Sequence, residues 1–92
     1  MATPALPVGS VLARTTPTFD ATTVPAGLLA AHETSVWAEL VVVDGVVVFV
    51  EESSGAATEV VAGERIVIVP HVRRHVEPAS SARFFVQFYR SS

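Results

Sequence analysis

This sequence of 92 residues contains no cysteine and no lysine. The lack of cysteine excludes disulfide bonds and thiolate metal ligands, and it is compatible with a reducing compartment. Without lysine, six arginines face nine acidic residues, and the net charge is −3. A nucleic-acid-binding surface needs a basic stripe to neutralise phosphates, whereas the one basic cluster here is Arg73-Arg74. We therefore expect no nucleic-acid partner.

Long apolar runs are missing as well. The most apolar stretch, "LVVVDGVVVFV", is interrupted by Asp44-Gly45 and is far shorter than the ~20 residues of a membrane helix. The N-terminus lacks the charged and apolar regions of a signal peptide. We expect a cytoplasmic protein without a membrane segment. Its length predicts one domain over residues 1–92, with loose ends at residues 1–9 and at Ser91-Ser92.

The most prominent feature of the sequence is its valine-rich runs. Residues 37–43 and 46–51 are dense in valine, a β-branched residue that favours strands. Asp44-Gly45 between them is a strong signal for a hairpin with a type I′ turn. Both faces of this predicted hairpin are apolar, so the opposite sheet must cover one side and the N-terminal segment or a second subunit the other. We therefore predict a homodimer.

Further short strands follow from the same pattern. Residues 58–61 and 65–69 form a second predicted pair around the turn 62–64, and residues 74–77, 82–89, 11–14 and 28–32 complete the set. A helical turn in "LLAAHE" would be too short to change the class. Many short strands separated by turns predict an all-β sandwich or barrel.

Three stretches carry a family resemblance: "TVPAGLLAAHETSVWAELVVVDGVVVF", "VPHVRRHVEP" and "RFFVQFYR". Together they resemble the TehB/YeaR-like domain, which occurs alone in small bacterial proteins and at the N-terminus of tellurite-resistance methyltransferases. The resemblance implies a cupin-like double-stranded β-helix of the jelly-roll type. The methyltransferase part is absent, so the resemblance carries no methyl-transfer chemistry.

In cupin-like folds, histidines from separate strands hold a metal inside the barrel, since imidazole and carboxylate suit Zn, Fe, Ni or Mn. The resemblance assigns one such histidine to His32. The position of the other is occupied by Arg74, with His75 one residue later and His71 three residues earlier. Because strand side chains alternate, Arg74 and His75 point to opposite faces unless a bulge intervenes.

The segment 70–78, "PHVRRHVEP", therefore has three interpretations. His32 and His75, with His71 or Glu77, hold a divalent metal. Alternatively, Arg74 replaces the metal and the pocket binds a small anion, which arginine does well. In the third interpretation these are solvated polar residues at a strand end.

Three more residues are candidates for a ligand pocket. Glu39 lies on an otherwise apolar strand and is either an inward ligand or acid/base group, or the partner of an arginine such as Arg83. Trp37 and Tyr89 suit a pocket mouth, where their polar ends reach the rim.

The leading hypothesis is thus a small cupin-like protein that binds a metal ion or small ligand in its barrel. The resemblance links it to stress or tellurite-type oxyanion resistance. The alternatives are a metal-dependent cupin enzyme of the dioxygenase or isomerase type, and a non-catalytic dimeric module with a vestigial pocket.

Overall fold

The structure, a computed structural model, describes residues 4–91. The predictions of loose ends at residues 1–3 and at Ser92 lie outside the described residues, whereas Ser91, also predicted to be loose, pairs with Ser10 in a strand. Residues 4–9 form no strand or helix, and a turn closes at their end where Ser10 N donates to the Pro7 carbonyl (3.2 Å). The elements that follow are β1 (Ser10–Thr15), β2 (Phe19–Asp20), α1 (Ala26–Leu29), β3 (Ala38–Asp44), β4 (Val46–Glu51), β5 (Ala57–Val61), β6 (Arg65–Ile68), β7 (Arg74–Pro78) and β8 (Arg83–Ser91).

Two antiparallel sheets form the molecule, which confirms the prediction of an all-β fold with two sheets. The larger sheet has the strand order β1-β8-β3-β6, and the short β2 also pairs with β8. The smaller sheet has the order β5-β4-β7. Within the described residues, no helix is long and apolar enough to cross a membrane.

The core lies between the sheets and is built from alternate residues of their strands. Leu40 and Val42 of β3 and Phe84 and Val86 of β8 are all buried, because alternate residues of a strand point to the same side. Phe19 packs edge-to-face on Phe84, with ring centroids 5.9 Å apart. Each fully buried side chain of this size contributes about 1.5–3 kcal/mol of transfer free energy.

The predicted hairpin at Asp44-Gly45 is wrong. β3 pairs with β6 and β8 in the larger sheet, whereas β4 pairs with β5 and β7 in the smaller one. A type I′ turn needs positive φ at both central residues, but only Gly45 of this pair has it (φ 69°). Asp44-Gly45 is therefore a corner at which the chain leaves one sheet for the other. The second predicted pair, 58–61 with 65–69, is divided between the sheets in the same way.

The strand predicted at residues 28–32 is also largely wrong. Ala26–Leu29 forms one helical turn after Pro25, because alanine and leucine are strong helix formers and Leu28 can pack against the core. Only His32 is paired in the extended conformation, through an isolated bridge to Arg74.

The separation of β3 and β4 removes one premise of the dimer prediction. The inner faces of both strands are covered by the opposite sheet, so an apolar ribbon does not need a second subunit on that side. Some apolar side chains stay exposed on the outside, including Leu12, Val43 and Val61. The homodimer stays a prediction, which light scattering at micromolar concentration can check.

The corner at Gly45 generates a stability prediction. A Cβ at this position would lie 2.9 Å from Ala82 Cα, and φ is positive, so Gly45→Ala combines strain with a backbone clash. Gly55 has a similar φ (71°) but nothing within 4 Å of its Cβ position, so Gly55→Ala is the matched control. We expect the control to cost about 1 kcal/mol of unfolding free energy. Gly45→Ala should cost about 1–3 kcal/mol more in urea denaturation. Equal losses would contradict the clash.

Candidate functional site

The 70–78 segment places its charged residues on opposite sides of β7. Arg74 and Val76 are buried, and Val76 belongs to the core. His75 and Glu77 lie on the other face, as period two of a regular strand requires. Of the two arrangements left open by the sequence, the structure therefore has Arg74 inside and His75 outside.

Arg74 is held in place by its backbone. Its N–H donates to the His32 carbonyl (2.7 Å), and its own carbonyl accepts from His32 N (2.8 Å). The side chain is only 1% exposed. Its Nη2 donates to the Val69 carbonyl, while Nη1 is buried and has no hydrogen-bond partner among residues 4–91. A buried donor without a partner costs about 1–3 kcal/mol, and an acceptor that reached Nη1 would remove this cost.

Arg74 lines a cavity of about 450 Å³ between β4, β5, β6 and β7. Apart from Arg74, Glu51 and Thr58, every lining residue is apolar. The Phe49 ring centroid lies 5.8 Å from the guanidinium carbon, within the range of a cation–π contact. The volume and the apolar lining with few polar groups are typical of small-molecule sites.

The charge of Arg74 is incompletely balanced. Burial lowers the pKa of the Arg74 guanidinium below its ordinary value, and the carboxylates of Glu33 and Glu51 act in the opposite direction. Neither carboxylate forms an ion pair with Arg74 within the part of the chain that the structure describes. Since arginine stays protonated in proteins, the cavity contains a cation that lacks a close counter-ion.

His75 lies between two carboxylates on the outer face of the smaller sheet. Its Nδ1 contacts Glu52 Oε2, and its Nε2 is 2.7 Å from Glu77 Oε2. With an acceptor at each ring nitrogen, the imidazolium form can donate at both ends. The hydrogen bonds to Glu77 and Glu52 therefore raise the pKa of His75 above its ordinary value of 6.5.

The other two histidines lie elsewhere. His71 is exposed in the turn before β7, in the left-handed region (φ 62°), and its N–H donates to the Thr34 carbonyl (2.8 Å). His32 Nδ1 is 2.9 Å from the Ala30 carbonyl. The ring lines a second, mostly apolar cavity of about 480 Å³, together with Leu28 and Phe88.

The predicted metal ligands are thus not gathered at one point, although His75 and Glu77 are in contact. Among residues 4–91 there is no group of three or more His, Cys, Asp or Glu that could hold a metal ion. Arg74, at the position where the resemblance implies a histidine, has no lone pair to donate. The interior position therefore does not fit a divalent cation. Metal binding by His32, His71, His75 and Glu77 stays a prediction to which the geometry adds no support.

Glu39 and Tyr89 meet on the outer side of the larger sheet. The Tyr89 hydroxyl donates to Glu39 Oε1 (2.6 Å), and Arg65 Nη1 is 3.3 Å from the same oxygen. The arginine partner of Glu39 is therefore Arg65 rather than Arg83, which pairs with Asp44 (3.3 Å). Burial, followed by the hydrogen bond to Glu39, raises the pKa of Tyr89 above 10.0.

Trp37 and Tyr89 line one cavity of about 280 Å³, near the start of β1 and the end of β8. Their role at the mouth of a ligand pocket stays a prediction. The cavity is separate from the one that contains Arg74, so the eight predicted site residues do not form one site.

Sequence reasoning missed the groups that surround each candidate. Glu51 and Phe49 of β4 line the cavity beside Arg74, and Glu52, the first residue after β4, contacts His75. Glu51 and Glu52, which follow the valine-rich run, could have indicated these contacts. Side chains of consecutive residues in an extended chain point to opposite faces, so the two glutamates can reach both sides of the sheet.

Comparison with known proteins places the chain in a family. The model of the TehB-like domain matches residues 14–86. The chain belongs to the TehB-like family. None of the curated proteins searched matches this TehB-like chain.

Two solved structures share the fold of this TehB-like domain. A crystal structure of a protein from Escherichia coli K12 superposes with a TM-score of 0.89 at 21% identity, covering 97% of this chain and 98% of that one. TehB from Haemophilus influenzae superposes with a TM-score of 0.82 at 20% identity, covering 91% of this chain. The match covers only 32% of TehB, and at these identities the likeness concerns the fold alone.

The contacts of His75 predict a pH-dependent stability. A raised folded-state pKa stabilises the protein fully below the unfolded value of 6.5, and this contribution is lost as pH rises through the folded pKa. The difference in unfolding free energy between wild type and His75→Gln should therefore be larger at pH 6 than at pH 9. Urea denaturation at both pH values measures it. His71→Gln, which alters an exposed turn residue, should show no such change. If His75→Gln lost the same unfolding free energy at pH 6 and at pH 9, the contacts of His75 with Glu52 and Glu77 would be refuted.

The pairing of Tyr89 with Glu39 can be measured directly, since Tyr89 is the one tyrosine in the chain. Absorbance at 295 nm should give a titration midpoint above 10.0. In Glu39→Gln the midpoint should fall, though not to 10.0, because burial is the larger cause. Glu59→Gln, on exposed β5, is the matched control and should leave the midpoint unchanged. A midpoint that does not fall in Glu39→Gln would contradict the contact.

Proposed function

We propose that this TehB-like domain binds a small anion in its interior cavity, with Arg74 as the binding group. The observation that supports this most directly is the buried Nη1 of Arg74, which has no partner among the described residues and belongs to a side chain lining a cavity of about 450 Å³. Burying a charge is costly unless an opposite charge accompanies it. An anion at Nη1 supplies both the missing acceptor and the missing charge.

A jelly-roll, cupin-like architecture is part of the same proposal. The larger sheet has the order β1-β8-β3-β6, and the smaller one continues from β5-β4-β7 to the His32–Arg74 bridge at the free edge of β7. This arrangement of eight strands in two facing sheets supports a double-sheet jelly roll. Its hollow lies between the sheets, where Arg74 is found.

The family resemblance supplies the biological setting of the proposal: stress or tellurite-type oxyanion resistance. An anion-binding role for Arg74 is compatible with either an enzyme or a binding module. The geometry favours binding, because no acid/base group apart from Glu51 lines the cavity within residues 4–91.

Arg74→Met tests the proposal. Methionine keeps an unbranched apolar side chain and removes the charge, and replacing a buried charge by an apolar group is often neutral or stabilising. We expect the variant to fold with a melting temperature equal to or above that of the wild type. It should lose the rise in melting temperature that the wild type shows on addition of nitrate, phosphate, tellurite or carboxylates at constant ionic strength.

Arg73→Met is the matched control, since Arg73 is exposed and its Nη2 donates to the Ala31 carbonyl (3.1 Å). It should keep the full anion response. Arg74→Lys retains the charge and should show a weakened response. The proposal fails if no anion stabilises the wild type, which would leave Nη1 to a water molecule, or if Arg74→Met responds like the wild type.

A further inference from the structure

The cavity around Arg74 also indicates which anions it selects. Resting on the proposed function, we infer that the ligand is a monocarboxylate with an apolar body, rather than an inorganic oxyanion or a dicarboxylate. The inference depends on three features of the cavity: its single cation, the carboxylate of Glu51 on the same wall, and its apolar lining.

The first feature is the number of charges. Arg74 is the one arginine that lines the cavity within the described chain, and its Nη2 is already engaged by the Val69 carbonyl. One guanidinium with one positive charge suits a single carboxylate group. A phosphate or sulfate would carry further oxygens into a lining that offers them little besides the Thr58 hydroxyl.

The second feature is Glu51, which opposes a second negative charge. Glu51 and Arg74 are directly opposite each other in the β4–β7 register, so they share a face and line the same cavity. The Glu51 Oε1 accepts hydrogen bonds from the hydroxyls of Ser53 (3.1 Å) and Ser54 (3.3 Å) in the turn that follows β4. A dianion would bring its second charge towards this carboxylate, and like charges disfavour such an approach.

The third feature is the size and apolarity of the remaining space. Phe49, Ile66, Val69 and Val72 contribute apolar surface to the cavity of about 450 Å³. One water molecule takes up about 30 Å³ in the liquid, so an ion of four or five atoms would leave most of the cavity to water or empty. An apolar chain or ring beside Phe49 would instead remove these walls from water.

Isothermal titration with a series of ligands tests this inference. Propionate, butyrate, pentanoate and hexanoate are compared with nitrate, phosphate, tellurite and succinate, all at constant ionic strength. Each added methylene should raise the affinity about fourfold until the cavity is full. Hexanoate should therefore bind more than tenfold more tightly than nitrate or phosphate, and Arg74→Met should abolish binding of the whole series.

Glu51→Gln provides the independent readout on charge. Removing this carboxylate should raise the affinity for succinate relative to butyrate by about tenfold, whereas Glu59→Gln, with an exposed glutamate on β5, should leave the ratio unchanged. An unchanged ratio in Glu51→Gln would overturn the role of Glu51 in charge selection. Circular dichroism confirms that each variant is folded.

The possible failures are distinguishable. If nitrate, phosphate or tellurite binds as tightly as hexanoate and Arg74→Met abolishes it, the inference is wrong and the proposed function stands. If hexanoate binds equally well to wild type and Arg74→Met, the cavity is merely apolar and both fail. If no ligand in the series binds the wild type, the proposed function fails and the inference with it.

Discussion

The position of Val76 in the core is the constraint on which the interior of this domain depends. Because side chains on a strand alternate, a buried Val76 commits Arg74 to the same side of β7 and commits His75 to the other. The antiparallel bridge between Arg74 and His32 fixes the backbone at that point, so the arginine cannot turn outward without breaking two hydrogen bonds. A permanently charged group is thereby held inside the domain, at the wall of a cavity.

Much of the fold follows from local pattern. The valine-rich runs and the spacing of the turns correctly predicted an all-β fold of short strands. The failures concern which strands are neighbours. Asp44-Gly45 has the composition of a hairpin turn, yet β8 and β6 occupy both edges of β3. The sequence between two strands specifies that the chain turns, but it does not specify that the strands pair.

The same limit applies to the side chains of the site. The alternation of side chains along a strand allowed two arrangements, with either Arg74 or His75 pointing inward. Choosing between them required knowing that Val76 is buried. The partner of Glu39 depends on register: Arg65 reaches it from β6, while Arg83 is placed beside Asp44 by the irregularity at the end of β3. Membership of the TehB-like family predicts the fold of this chain. It does not predict the interior charge, because Arg74 occupies the position where the resemblance implies a histidine.

Charges of opposite sign face each other on both sides of the β4–β7 pair. On the inner side Glu51 lies opposite Arg74, and on the outer side Glu52 contacts His75. Sliding one strand past the other by a single residue would exchange the two sides, exposing the arginine and burying the imidazole. Valine-rich strands such as β4 offer little else that distinguishes one alignment from the next. Glu51 and Glu52, where β4 ends, and Arg74 and His75, where β7 begins, therefore favour a single alignment of the two strands.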